Sequence, residues 1–163
     1  MNYRPARISD LPAIVAIYNS TVASRMVTAD TEEVTVESKR SWFEAHHNRR
    51  PLWMVSDNNE LVGWISFQDF YGRPAYNGTA EISIYLAPEH RGKGYGKKIL
   101  QYAISQAPEL QIENLIGIIF AHNSPSIQLF LQLGFERWGH LPEVAVMDGK
   151  QYSVDILGLK LRP

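Results

Sequence analysis

Apolar and polar positions alternate along the chain in two rhythms, and the switches between them mark out the elements. Residues 2–8 read as a short strand that ends at Ser9-Asp10, an N-cap pair with Pro12 near the first helical turn. Leu11, Ile14, Val15, Ile17 and Tyr18 then recur at helical spacing. Residues 20–35 carry no period and read as a loop long enough to border a pocket. A second helix is expected over residues 36–47, with Trp42 and Phe43 inward. From Leu52 the period falls to two. Residues 52–56 and 61–67 read as a hairpin around Asp57-Asn58-Asn59, whose residue types suit positive φ angles. A third strand over 81–86 sends Ile82, Ile84 and Leu86 to one face and Glu81, Ser83 and Tyr85 to the other, and Pro88 stops it. Ile99, Leu100, Ala103 and Ile104 return to helical spacing, so a helix starts within residues 92–97. Residues 115–120 read as a buried strand. A short helix over 124–133 opens at Asn123-Ser124-Pro125 and closes on Gly134. The remainder to Leu161 reads as strands with turns at Leu141-Pro142 and Asp148-Gly149. Helices interleaved with a mixed sheet predict an α/β or α+β sandwich.

The junction after the 81–86 strand holds the most chemistry. Gly92, Gly94 and Gly96 stand at alternate positions where a helix must begin, and glycine weakens a helix start. Lacking Cβ atoms, they let backbone amides approach a ligand, and a helix N-terminus adds unpaired N–H groups and a positive dipole end. Arg91, Lys93, Lys97 and Lys98 surround this turn, so a phosphate or pyrophosphate is the expected guest. The spacing G-x-G-x-G does not fit the dinucleotide fingerprint, and Gly96-Lys97 is followed by Lys98 rather than the Ser or Thr of a Walker loop.

Composition narrows the reading. The 163 residues, 45% of them hydrophobic, predict one domain spanning 1–163 with a substantial core. Sixteen Lys plus Arg against seventeen Asp plus Glu leave a formal charge of −1, which gives no global field for nucleic acid or an anionic membrane. Cysteine is absent, so disulfides, thiol nucleophiles and Cys-ligated metal are excluded. No histidine pair has metal-ligand spacing, and no metal is expected. With no apolar leader at residues 1–7 and no long apolar run, a cytoplasmic, soluble protein is expected.

The order Arg91-x-x-Gly94-x-Gly96, placed after a strand and opening a helix, resembles the acetyl-coenzyme A signature of the GCN5-related N-acetyltransferases. Asn123-x-x-Ser126 followed by Leu133-Gly134-Phe135 matches the second cofactor motif of that family. Ile17-Tyr18-Asn19, Arg73-Pro74-Ala75-Tyr76, Thr79-Ala80-Glu81 and the run from Gly139 to Val144 resemble its phosphinothricin N-acetyltransferase group. The resemblance implies a mixed sheet of about seven strands flanked by about four helices. It also implies transfer of acetyl to the α-amino group of phosphinothricin, methionine sulfoximine or sulfone, or related small amino acids. Acetyl-coenzyme A would contact Ile84, Tyr85 and Leu86 on a strand that parts from its neighbour, the turn Arg91, Gly92, Lys93, Gly94, Tyr95 and Gly96, and Asn123, Ser126 and Phe130. Such proteins commonly dimerise, so a homodimer is expected.

An α-amino group with a pKa of roughly 8 is mostly ammonium at neutral pH and needs a base. Glu81 is the expected base, the role of its counterpart in the group. On an ideal strand it stands on the order of 13 Å from Tyr85, which requires a bulge or a water relay. The resemblance places a thiol-protonating tyrosine where this chain has Phe130. Phe70, Tyr71, Arg73 and Tyr76 are the expected acceptor-binding residues, the arginine for a carboxylate and the rings as pocket walls. His122 and His140 are weaker pocket residues; His46 and His47 are expected at a helix end. Two alternatives stay open: acetylation of protein N-termini or lysines, and a coenzyme A binding module without chemistry.

Overall fold

The computed structural model describes residues 1–161. A seven-stranded mixed sheet carries the chain, in the order β1-β2-β3-β4-β5-β7-β6. Its strands are β1 (Asn2–Pro5), β2 (Leu52–Asp57), β3 (Glu60–Asp69), β4 (Thr79–Leu86), β5 (Asn114–Phe120), β6 (Glu136–Met147) and β7 (Lys150–Lys160). Four α-helices flank it: α1 (Leu11–Asn19), α2 (Arg40–Glu44), α3 (Tyr95–Gln106) and α4 (Ser124–Gln132).

The period-two strands sort the side chains onto two faces. On one, Leu52, Met54 and Trp64 pack with Ile14 and Ile17 of α1, and Trp42 and Phe43 of α2 join them. On the other, Val55, Ile65, Phe67 and Ile82 pack with Ile99, Leu100 and Ala103 of α3 and Ile127 and Phe130 of α4. The expected hairpin is present, and Asn58 and Asn59 turn it with φ of 51° and 65°.

Three expectations are corrected. The first strand ends at Pro5, and Asp10 closes the next turn by accepting from Arg7 N at 2.7 Å and from Arg4 at 2.8 Å. The helix expected over 36–47 splits into a 3-10 turn, Glu37–Lys39, and the short α2. Ser38 bonds back to Thr35 through both its amide and its hydroxyl, at 3.1 and 2.7 Å, a local arrangement that competes with helix extension. Leu141-Pro142 is not a turn between strands. It is a bulge inside β6, where the register to β7 shifts between Leu141 and Ala145, so the missing proline N–H breaks no regular ladder.

Arg50 is buried to 1% exposure and fastens the connections at one end of the sheet. It donates to the carbonyls of Asn77 (2.6 Å), Arg49 (2.7 Å) and Leu110 (3.4 Å). Its Nε faces Asp69 Oδ1 at 3.1 Å as an ion pair without hydrogen-bond geometry. Burial pulls its pKa down and the Asp69 charge opposes that.

Candidate active site

The centre of the sheet is incomplete. β4 and β5 run parallel and pair only at Thr79↔Asn114, Ala80↔Leu115 and Glu81↔Ile116. Beyond Glu81 they part, while β4 stays in unbroken register with β3 and β5 with β7. The β4 backbone groups that point into this gap therefore lack a strand partner, which a buried peptide group ordinarily does not tolerate.

A slot of about 170 Å³ occupies the gap. Ile84, Tyr85, Leu86, Gly96, Asn123, Ser126 and Phe130 line it, along with Val27 from the loop after α1. Asn123 caps α4, its Oδ1 accepting from Ser126 N at 3.4 Å. Among the described residues its Nδ2 has no partner, and the residue is buried against the slot. Phe130 fits beneath Gly117, where a Cβ would come within 2.6 Å of the ring. Close contact with glycine thus sets the ring's depth.

The glycine turn closes one end. Gly92 and Gly94 take φ of 71° and 84°, and beyond the flanking residues no atom lies within 4 Å of where their Cβ atoms would sit. Gly94 is the N-cap of α3, and Lys97 and Lys98 stand in the first turn with no acidic residue. Cations there oppose the helix dipole unless an anion is also present. Arg91 reaches back to Leu86 O at 3.2 Å and Ser20 Oγ at 2.7 Å. Tyr95 turns from the slot to donate to Asp57 at 2.8 Å, and Lys93 is exposed. Open β4 groups, a glycine turn with cations and an Asn123 amide suit a thioester carrying a pantetheine arm and a diphosphate.

A second cavity, of about 230 Å³, lies on the α1/α2 face. The pairs Trp64↔Tyr85, Ser66↔Ser83 and Gln68↔Glu81 put these side chains on one face of the sheet. Trp64, Gln68, Ser83 and Tyr85 form the floor, and Ile14, Val15, Tyr18, Lys39 and Trp42 the walls. Tyr85 stacks on Trp64 with centroids 4.5 Å apart. Ser83 and Tyr85 line both this cavity and the slot, so the two open onto each other along β4.

Glu81 occupies the last paired position before the strands part, across from Gln68. Burial pushes its carboxyl above the usual carboxylate range. Among the described residues it has no hydrogen-bond or ion-pair partner, and its charge acts on the Tyr85 phenol. β4 contains no bulge against β3 that would bring Glu81 closer to Tyr85. Tyr18 bonds Thr28 and Asp30, and burial, then the Asp30 bond, push its phenol up to about 12. Burial raises the Tyr85 phenol further, with the Tyr18 phenol second. The 20–35 loop thus lines the slot through Val27 and holds the Tyr18 wall of the second cavity through Thr28 and Asp30.

The expected acceptor residues sit elsewhere. Phe70, Tyr71 and Tyr76 cluster with centroids 4.4 to 5.9 Å apart, and with the exposed Arg73 they occupy the loop from β3 to β4. None lines either cavity; the loop leaves β3 just beyond Gln68. The histidines have other partners. His46 donates from Nδ1 to Phe43 O and accepts the Ser66 hydroxyl at 2.6 Å, and burial lowers its pKa, in keeping with a neutral ring. His122 bonds Arg25 O, and His140 bonds the buried Asp155 at 2.6 Å. Among the described residues no cluster of three His, Cys, Asp or Glu could hold a metal. No helix among them is long and apolar enough to cross a membrane.

Sequence reading missed Tyr18, Lys39, Trp42 and Trp64 as cavity walls. The available signal was polar: Ser66, Gln68, Glu81 and Ser83 share one face of two central strands, beside Trp64 and Tyr85.

Known proteins resemble this chain in sequence and in fold. A provisionally named phosphinothricin acetyltransferase, YwnH of Bacillus subtilis (strain 168), is 54% identical over 162 residues, covering 99% of both chains. An L-methionine sulfoximine/L-methionine sulfone acetyltransferase of Pseudomonas paraeruginosa is 32% identical across 98% of this chain and 94% of its own. A crystal structure of a GNAT superfamily phosphinothricin acetyltransferase from Sinorhizobium meliloti in complex with AcCoA superposes with a TM-score of 0.89. It is 27% identical over 98% of this chain and 87% of that one. The sequence model of the acetyltransferase (GNAT) family matches residues 14–135. With a parted β4/β5 pair, a glycine turn opening α3 and the Asn123 cap in place, the chain belongs to the acetyltransferase (GNAT) family.

Proposed function

We propose that residues 1–163 act as one domain that acetylates the α-amino group of small amino acid-like acceptors, with acetyl-coenzyme A as donor. Phosphinothricin, methionine sulfoximine and methionine sulfone are the acceptors that the names of its relatives favour. One observation carries the reading: the strand gap and the α1/α2 cavity share Ser83 and Tyr85 as a common wall. A thioester in the gap and an amine in the cavity would be held side by side, and proximity is the largest gain available to such a reaction.

Open β4 amides near Ile84 to Leu86 would polarise the thioester carbonyl. Glu81 takes the proton of the acceptor ammonium through water; the nitrogen then bonds to the carbonyl carbon, the carbon–sulfur bond breaks, and the nitrogen releases its second proton to water as the amide forms. The thiolate departs as an anion, which a thiol pKa of roughly 8.5 allows where Phe130 offers no proton. The cavity's 230 Å³ falls below the roughly 300–1,000 Å³ of drug-sized sites, which favours a small acceptor over a protein lysine or N-terminus. Phe70, Tyr71, Arg73 and Tyr76 would form an outer rim.

Incubation with acetyl-coenzyme A and an amine panel that includes phosphinothricin and methionine sulfone should release free thiol. Absence of turnover with every α-amino acid removes this function. A homodimer is also proposed, because the edge strand β6 exposes Val144 and Val146 at 59% and 64%, with Trp138 and Leu141 beside them. Light scattering should give twice the monomer mass, and a monomer at every concentration refutes it. Absence of cysteine accords with a cytoplasmic setting, which cell fractionation checks.

A further inference from the structure

Aromatic rings wall the α1/α2 cavity: Tyr18, Trp42, Trp64 and Tyr85. One cation enters it. Lys39, the last residue of the Glu37–Lys39 turn, is half-buried, its Nζ 4.7 Å from the Tyr18 ring centroid and 5.9 Å from that of Trp42. The acids around it have other partners: Glu37 pairs with Arg40 at 3.2 Å, and Asp30 accepts the Tyr18 hydroxyl. Among the described residues no carboxylate lies within ion-pair distance of Lys39, and no acidic side chain lines the cavity.

A half-buried ammonium held over rings, without a counter-ion and facing a cavity, is suited to receive an anion. Arg73, the expected anion partner, lies on the exposed β3–β4 loop and not on this wall. Resting on the acceptor class proposed above, we infer that Lys39 binds the α-carboxylate of the acceptor and makes the enzyme select amino acids over neutral amines. The rings hold the ammonium in place, and the acceptor supplies the missing negative charge.

The test compares L-methionine sulfone with its carboxamide as acceptors for the wild type, Lys39→Met and Lys39→Arg. Only the carboxylate differs between the acceptors, and comparing variants cancels their intrinsic difference in amine basicity. Lys39→Met should lower kcat/KM for the acid about tenfold or more, through KM, and leave the carboxamide and the KM for acetyl-coenzyme A within about threefold. Lys39→Arg should retain the preference for the acid. If Lys39→Met lowers both acceptors in proportion, or neither, the assignment is wrong while the acceptor class survives. A wild type that acetylates no α-amino acid overturns both.

Discussion

Glu81→Gln should lower kcat/KM about 10² to 10⁴-fold, the usual contribution of a positioned general base, and at the same time raise the melting temperature. Both effects have one origin. Burial raises the Glu81 carboxyl pKa, and no hydrogen bond or ion pair among the described residues compensates the charge. A carboxyl that holds its proton more tightly folded than unfolded makes stability fall as pH rises between the two values. The penalty is absent below the ordinary carboxylate range and complete above the raised value. Glutamine removes it, so the variant should melt above wild type at pH 8 and show no such gain at pH 4. The wild-type rate should also lose its acidic limb in the variant, leaving only the ionisation of the acceptor amine. Unchanged turnover with Gln in place would dismiss Glu81 as the base. A wild type that binds acetyl-coenzyme A but turns over no amine would instead favour a binding module.

The second large effect is expected at Gly117. A methyl group there meets the Phe130 ring at 2.6 Å, and the ring's free side faces the slot. Gly117→Ala should therefore raise the KM for acetyl-coenzyme A about tenfold and destabilise the fold by about 1–3 kcal/mol, the range for an overpacked core. Combining it with Phe130→Leu should restore much of both, since the two positions share one space. Thermal unfolding and steady-state kinetics on the single and double variants measure this. Lost stability with an unchanged KM would place the ring outside the donor site.

Much of this protein is legible in its sequence because its strands obey one rule. Glu81, Ser83 and Tyr85 alternate with Ile82, Ile84 and Leu86, and the structure turns the two sets to different faces. The Asn58-Asn59 corner and the glycine opening of α3 carry equally local signals. Periodicity fails where side chains compete for the backbone, as Ser38 does for Thr35, and where proline sits in a bulge, as Pro142 does in β6. It is also silent about distance across the fold. The walls of the α1/α2 cavity come from α1, the Glu37–Lys39 turn, α2, β3 and β4, and no spacing rule connects Lys39 to Tyr85. The exposed Tyr71 and Arg73 look like binding residues because aromatic and basic types often are, yet they line neither cavity in this chain.

With the proposed donor in the gap between β4 and β5, the protein's durability would be tied to metabolism. A sheet whose midline is finished by a donor molecule is more robust when that molecule is plentiful. A ligand that binds only the folded state adds about 2.7 kcal/mol at a hundredfold excess over its dissociation constant. Deprived of coenzyme A in either form, the same polypeptide would unfold more readily and reach proteases sooner, so its abundance would follow the coenzyme pool without a separate regulator.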